Sequence, residues 1–143
     1  MKYFRLFFVF ILLLLSNIFL FADVYVDPSS LPSKAKKFIS DIFPSTTYWS
    51  VELDGNKYEV ELSNGVSIEF TFDGEWIKVE AEYLSIPISI LPKSVANTVR
   101  NRYPNALIIE TEKSFGNYKI KLNNFIEMYI GPSGQFLGQK FDD

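Results

Sequence analysis

The stretch YEVELSNGVSIEFTFDGEW, residues 58–76, decides the fold. Tyr58, Val60 and Leu62 alternate with Glu59 and Glu61, and Lys57 precedes them in phase. Val66, Ile68, Phe70 and Phe72 alternate with Ser67, Glu69 and Thr71. A period of two is the mark of a strand with one dry and one wet face. Asn64-Gly65 between the two runs is a two-residue hairpin signal. Asp73-Gly74 marks a second hairpin, after which a further strand is expected from Trp76 to Tyr83.

Working outward, Trp49, Val51 and Leu53 alternate with Tyr48, Ser50 and Glu52 before the turn Asp54-Gly55-Asn56. Upstream of that the period changes. Ala35, Phe38, Ile39, Ile42 and Phe43 recur at the spacing of one helical face. Pro32 belongs in the first turn, Ser30 or Ser33 is available as a cap, and Pro44 ends the helix. The unit is thus a helix followed by four strands.

The same unit recurs at a constant offset of 60 residues. Leu31-Pro32 matches Leu91-Pro92, and Phe43-Pro44 matches Tyr103-Pro104. Tyr58, Val60, Leu62 and Asn64 match Tyr118, Ile120, Leu122 and Asn124; Gly74 and Trp76 match Gly134 and Phe136. No gap is needed, and a fixed period signals a repeated supersecondary unit. Val95, Val99 and Tyr103 supply the second helical face, with Thr98 and Arg102 in place of Phe38 and Ile42. Leu107 and Ile109 open the next strand, Phe115-Gly116-Asn117 and Asn123-Asn124 turn the chain, and Ile126, Met128 and Ile130 follow. Pro132-Ser133-Gly134 leads to a last strand ending at Phe141.

The expected architecture is α+β: two tandem helix-plus-four-strand antiparallel repeats forming one sheet of about eight strands, with the helices on one face. The expected boundaries are a signal peptide at 1–22, an N-terminal extension at 23–29, a first repeat at 30–84, a linker at 85–90 and a second repeat at 91–143. The signal is read from Lys2 and Arg5, the apolar runs Leu6–Leu15 and Ile18–Phe21, and the small residue Ala22. The apolar stretch is also about long enough to be kept as a membrane anchor. Either outcome puts the domain outside the cytoplasm.

Composition closes several functions. The chain of 143 residues has no cysteine and no histidine. Disulfides, thiol catalysis, a lipid on an N-terminal cysteine, serine–histidine chemistry and zinc mechanisms are therefore excluded. Of 14 basic residues, 12 remain after Lys2 and Arg5 go with the signal, against 17 acidic ones, a formal charge of −5. Such a surface repels phosphate backbones, so nucleic acid is not an expected partner.

The polar positions of the strands define an open face: Tyr48, Ser50, Glu52, Lys57, Glu59, Glu61, Ser67, Glu69 and Thr71 in the first repeat, Ile108, Glu110, Glu112, Lys119, Lys121, Glu127 and Tyr129 in the second. Tyr48, Trp76, Tyr129 and Phe136 are the expected aromatic anchors of a partner, and Glu59, Glu61 and Glu69 the expected source of charge complementarity. Catalysis by Glu59 and Glu61 would require a partly buried cleft, which an exposed alternating strand does not offer. Asp54-Gly55-Asn56 and Asp73-Gly74-Glu75 are explained as turns and carry too few oxygens for calcium; the terminal Asp142-Asp143 adds little. No cofactor and no metal are expected.

Each repeat joins Leu-Pro, an amphipathic helix, an aromatic-Pro stop, Tyr-x-Val/Ile-x-Leu-x-Asn and Gly-x-aromatic. This resembles the PepSY-like family of exported bacterial proteins, similar to the beta-lactamase-inhibitor-protein fold, over residues 30–141. The resemblance implies a periplasmic or secreted α+β protein in which two helix-covered units share one curved sheet. It also implies a non-catalytic role, either inhibitory or protein-binding, with no catalytic residue to carry over. Asn124-Phe125 departs from the Asn-Gly pattern, and Lys119 and Lys121 replace the acids of the first repeat. The partner implied is an unidentified exported protein; a small-ligand or calcium-responsive periplasmic protein is the alternative.

Overall fold

The computed structural model describes residues 24–141. The expected signal peptide and the Asp142-Asp143 pair lie outside the described residues. Strand β1 is Val24–Tyr25, a 3-10 turn spans Pro28–Ser30, and helix α1 is Ser33–Ile42. Strands β2 (Tyr48–Asp54), β3 (Lys57–Leu62), β4 (Val66–Thr71) and β5 (Trp76–Ala81) follow. After a 3-10 turn at Ile88–Ile90 come α2 (Lys93–Arg102), β6 (Ile108–Ser114), β7 (Asn117–Leu122), β8 (Ile126–Ile130) and β9 (Phe136–Phe141). The strands form one antiparallel sheet in strict sequence order from β1 to β9.

The sheet has nine strands, not about eight. The extra one comes from the N-terminal extension, where Val24 pairs with Leu53 and Tyr25 with Glu52. The Val26 amide adds a hydrogen bond of 2.9 Å to the Val51 carbonyl. These groups cover part of an edge whose backbone donors and acceptors would otherwise lack partners. Two residues are too few to show alternation, so the strand has no signature in the sequence.

Both helices lie over the same face. Val79 of β5 pairs with Thr111 of β6, which keeps the apolar sides of the two halves in phase across their junction. Ala35, Ile39 and Phe43 of the α1 segment and Val95, Ala96 and Val99 of α2 are buried in one cluster with Val60, Ile68, Phe70, Val79, Ile120, Met128 and Ile130. Phe38 packs edge-on against Phe70, ring centroids 5.6 Å apart, and stacks on Trp76 at 6.1 Å. Burial of a large apolar side chain is worth about 1.5–3 kcal/mol, and this cluster substitutes for disulfides.

The first helix lacks the serine cap expected from the sequence, and the second is likewise uncapped. Pro32 and Pro92 occupy the N-cap positions without a side-chain hydrogen bond. The Ser30 hydroxyl instead donates to the Asp27 carbonyl within the preceding 3-10 turn, at 2.7 Å. The β4–β5 and β8–β9 turns press against the helix starts. A Cβ on Gly74 would lie 2.9 Å from Pro32 Cβ, and one on Gly134 would lie 2.6 Å from the Ser94 carbonyl oxygen. Both glycines have φ near +90°, so only glycine meets the backbone and the space together.

Four bulges interrupt the pleat. They fall between Tyr48 and Ser50, between Glu69 and Phe70, between Ile108 and Glu110, and between Tyr129 and Ile130. The last two stand 60 residues beyond the first two. Each adds one residue on one strand and reverses the facing of the side chains beyond it.

Candidate functional site: the open sheet face

The face turned away from the helices is ordered in cross-strand rows. One row runs Tyr25, Glu52, Glu59, Glu69, Lys78, Glu112, Lys119, Tyr129 and Gly138. The next runs Ser50, Glu61, Ser67, Glu80, Glu110, Lys121, Glu127 and Lys140.

The expected glutamates are all on this face. Glu59 and Glu61 are exposed on β3, and Glu69 is half-buried on β4, where it accepts a 2.9 Å hydrogen bond from Lys57 Nζ. Tyr129 is there too, its hydroxyl donating to the Glu127 carboxylate.

The other three expected anchors are not. The first bulge sets Tyr48 opposite the buried Leu62, and its ring packs on the core. Trp76 pairs with Phe70 because the extra residue in β5 turns it inward; it is 8% exposed, with Lys113 Nζ 3.9 Å above its ring. Phe136 pairs with Ile130, packs on the core and carries the Arg102 guanidinium 3.3 Å from its centroid. Ile108, assigned to the open face by alternation, is likewise core at 3% exposure. In each case a bulge shifts the phase.

The same device reveals a residue that alternation assigned to the core. Trp49 is the bulged residue between Tyr48 and Ser50 and is 78% exposed. It lines a shallow hollow at the sheet edge with Tyr25, Val26, Ser50 and Glu61. No local signal marks it, since Tyr48 and Trp49 are both aromatic and either could face inward.

The electrostatics of the two halves differ. In the second half the acids are met by lysines. The Glu110 carboxylate, 6% exposed, lies 3.3 Å from Lys119, 3.2 Å from Lys121 and 4.0 Å from Lys78. Glu127, 3% exposed, is 3.2 Å from Lys140 and 4.0 Å from Lys121, and Glu112 pairs with Lys119. Burial would raise the Glu127 pKa, but the hydrogen bonds from Tyr129 and Lys140 outweigh it and hold it below the usual range. Burial likewise works against the charged form of Lys119, yet Glu112 and Glu110 together raise its pKa well above normal.

In the first half, acid faces acid. Glu52 lies directly opposite Glu59, and Glu59 opposite Glu69. Desolvation raises the Glu59 pKa, and repulsion from Glu69 and Glu52 raises it further, with Lys57 acting in the opposite direction. Among the described residues neither Glu52 nor Glu59 has a cation within ion-pair distance. The carboxylates are spread along strands rather than converging. No group of three or more Asp or Glu among the described residues is placed to hold a metal ion.

A family model described as "Putative beta-lactamase-inhibitor-like, PepSY-like" matches residues 21–74 and again 56–138. Three solved structures share the fold at a TM-score of 0.77 and 24% identity. One, from Bacteroides vulgatus ATCC 8482, is described as a "putative periplasmic protein", with 82% of this chain and 96% of that one covered. Another, from Bacteroides thetaiotaomicron, is described as a "putative calcium-regulated periplasmic protein", with the same coverage. The third structure, also from B. vulgatus ATCC 8482 and described as a "putative periplasmic protein of unknown function", covers 83% of this chain and 99% of its own. At that identity the likeness is one of fold. No curated protein is similar enough to count as a match. No helix among the described residues is long and apolar enough to cross a membrane.

Proposed function

The chain belongs to the PepSY-like, beta-lactamase-inhibitor-like family, and from that premise we propose that it is an exported, non-catalytic protein that docks another envelope or secreted protein on its open sheet face. The observation that carries the proposal is the one-sided cover. Both helices pack on one face of the sheet, and the opposite face presents Trp49 and the carboxylates of Glu59 and Glu61 to solvent. A sheet face that needed only to be wet would not require a tryptophan turned out by a bulge. Aromatic side chains set among polar ones are the composition of protein interfaces.

Export is supported by the signal-like residues 1–22 and by the periplasmic description of proteins with the same fold. The non-catalytic role is supported by the family and by carboxylates that stand in open rows rather than across a cleft. We read the chain as two tandem copies of one unit, which the recurrence of the bulges at an offset of 60 supports. The binding residues proposed are Glu59, Glu61, Glu69 and Tyr129, joined by Trp49. Tyr48, Trp76 and Phe136 are left to the core. Any inhibition would be steric, the partner's own site being covered by the docked sheet.

The test is site-specific photo-cross-linking in the intact cell. A photoreactive residue at Ser67 on the open face should give discrete adducts with an envelope protein. The same residue at Lys37 or Asn97 on the exposed sides of the helices should not. Adducts from the helix side alone would overturn the proposal.

A further inference from the structure

We infer that the first half of the open face receives a basic polypeptide segment, whose lysines and arginines meet the Glu52–Glu59–Glu69 row and Glu61 while one of its cations or aromatics rests on Trp49. The inference rests on the docking proposal above and specifies the partner's chemistry.

The argument is a comparison within one molecule. Sixty residues after Glu59 and Glu61 stand Lys119 and Lys121, on the same face and in the same rows. There the lysines lie against Glu110, Glu112 and Glu127, and the face neutralises itself. That half shows that alternating charge makes a wet, well-packed sheet surface on this scaffold. The first half puts acids at the lysine positions, so carboxylates stand opposite carboxylates across two strand pairs. Like charges directly opposite destabilise a sheet. Solubility does not require that arrangement, since the second half does without it. A cationic partner removes the repulsion on binding, so the free protein's unfavourable contacts become part of the affinity.

Trp49 is an independent observation beside it. The bulge that turns it out places it with Ser50 across from Glu61, at 78% exposure. An indole face next to carboxylates suits guanidinium and ammonium groups by cation–π attraction, and arginine also pairs with carboxylates through two parallel hydrogen bonds. Glu52 to Glu69 spans two strand spacings, about 10 Å. Two basic residues three apart in a polyproline II segment share one face about 9 Å apart and reach across it.

The experiment uses the mature chain, a short oligoarginine peptide and calorimetry, with fluorescence as a second readout. The chain has two tryptophans, and Trp76 is buried, so a change on binding reports Trp49. Saturable binding is expected at low ionic strength, weakening several-fold as salt shortens the screening length. The double variant Glu59→Lys, Glu61→Lys writes the second half's residues into the first and should lose at least tenfold in affinity. It should fold as well as the parent, because repulsion has been relieved. A charge-matched control, Asp41→Lys with Glu75→Lys on the helix side, should lose less than twofold. Equal losses in the two variants would mean attraction to net charge alone and would overturn the inference. So would absence of binding at low salt, or calcium alone reproducing the Trp49 signal while the peptide fails to. Sheet-face cross-links that persist when the peptide does not bind would overturn this inference and leave the docking proposal standing. Loss of the cross-links as well would remove both.

Discussion

Replacing Glu59 by glutamine should make the free protein more stable. Glu59 faces Glu52 on one side and Glu69 on the other. Each directly opposed like-charge pair costs roughly 0.2–1 kcal/mol, so removing the charge relieves about 0.5–2 kcal/mol. The loss of attraction to Lys57 offsets little of this, because Lys57 is already held by Glu69 at 2.9 Å and Asp54 at 3.9 Å. A net gain of about 1 kcal/mol corresponds to a rise of about 4 °C in melting temperature for a domain of this size. Urea denaturation at neutral pH and low salt measures it. The gain should shrink in molar salt, where the screening length falls to about 3 Å. It should also depend on pH. The folded-state pKa of Glu59 is raised, so its unfavourable contribution sets in as pH climbs through the unfolded value and is complete above the folded one. Below about pH 4 the variant and parent should converge, since an ordinary glutamate titrates near 4.3. A destabilised variant, or a gain that ignores both salt and acid, would refute the repulsion argument.

Other substitutions probe the rest of the scaffold. Thr111 is fully buried and its hydroxyl has no hydrogen-bond partner among the described residues, so Thr111→Val should stabilise by about 1 kcal/mol in a thermal melt. Phe125 holds φ of 64° where the first half has Gly65, and Phe125→Gly should gain about 1 kcal/mol by the same assay. Gly134→Ala forces a methyl to within 2.6 Å of the Ser94 carbonyl, whereas Gly55 has nothing within 4 Å; the first substitution should cost about 2 kcal/mol or more and the second about half that. Glu127→Gln should cost about 1–3 kcal/mol at neutral pH by leaving Lys140 and Tyr129 short of their acceptor. The Glu127 pKa is lowered, so its stabilisation is present above the unfolded value and lost as pH falls through the folded one. Titrated melts should show the deficit closing in acid.

The α+β class, the helices and the hairpins were legible because each rests on a local signal. Two periods, 3.6 and 2, separate the segments around Phe38 from those around Val60, and Asn64-Gly65 and Asp73-Gly74 mark the turns. The dry strand positions Val51, Val60, Ile68, Phe70, Ile120, Met128 and Ile130 follow from the same alternation. What was not legible came from events without local chemistry. A bulge leaves no signature in residue type, so alternation places Tyr48 and Ile108 on the open face and Trp49 in the core, each one step out of phase, and does not fix the facing of Trp76 and Phe136. Strand β1 pairs through two residues only. The glutamate row was visible as three acids on alternate positions. Its mutual opposition depends on register, which pairs Glu52 with Glu59 and Glu59 with Glu69; that register is set by how each hairpin turn closes, which alternation alone does not give.

The unbroken order of the strands bears on how such a chain comes to be folded at all. Every strand partners the one made just before it, and only α1 and α2 with their flanking turns intervene, so most closures span a hairpin. Short closures cost little chain entropy and make for rapid folding. A polypeptide threaded through a narrow pore, amino end leading, can add each strand to the growing edge as it emerges. At no stage must it wait for a distant segment to complete what is already outside.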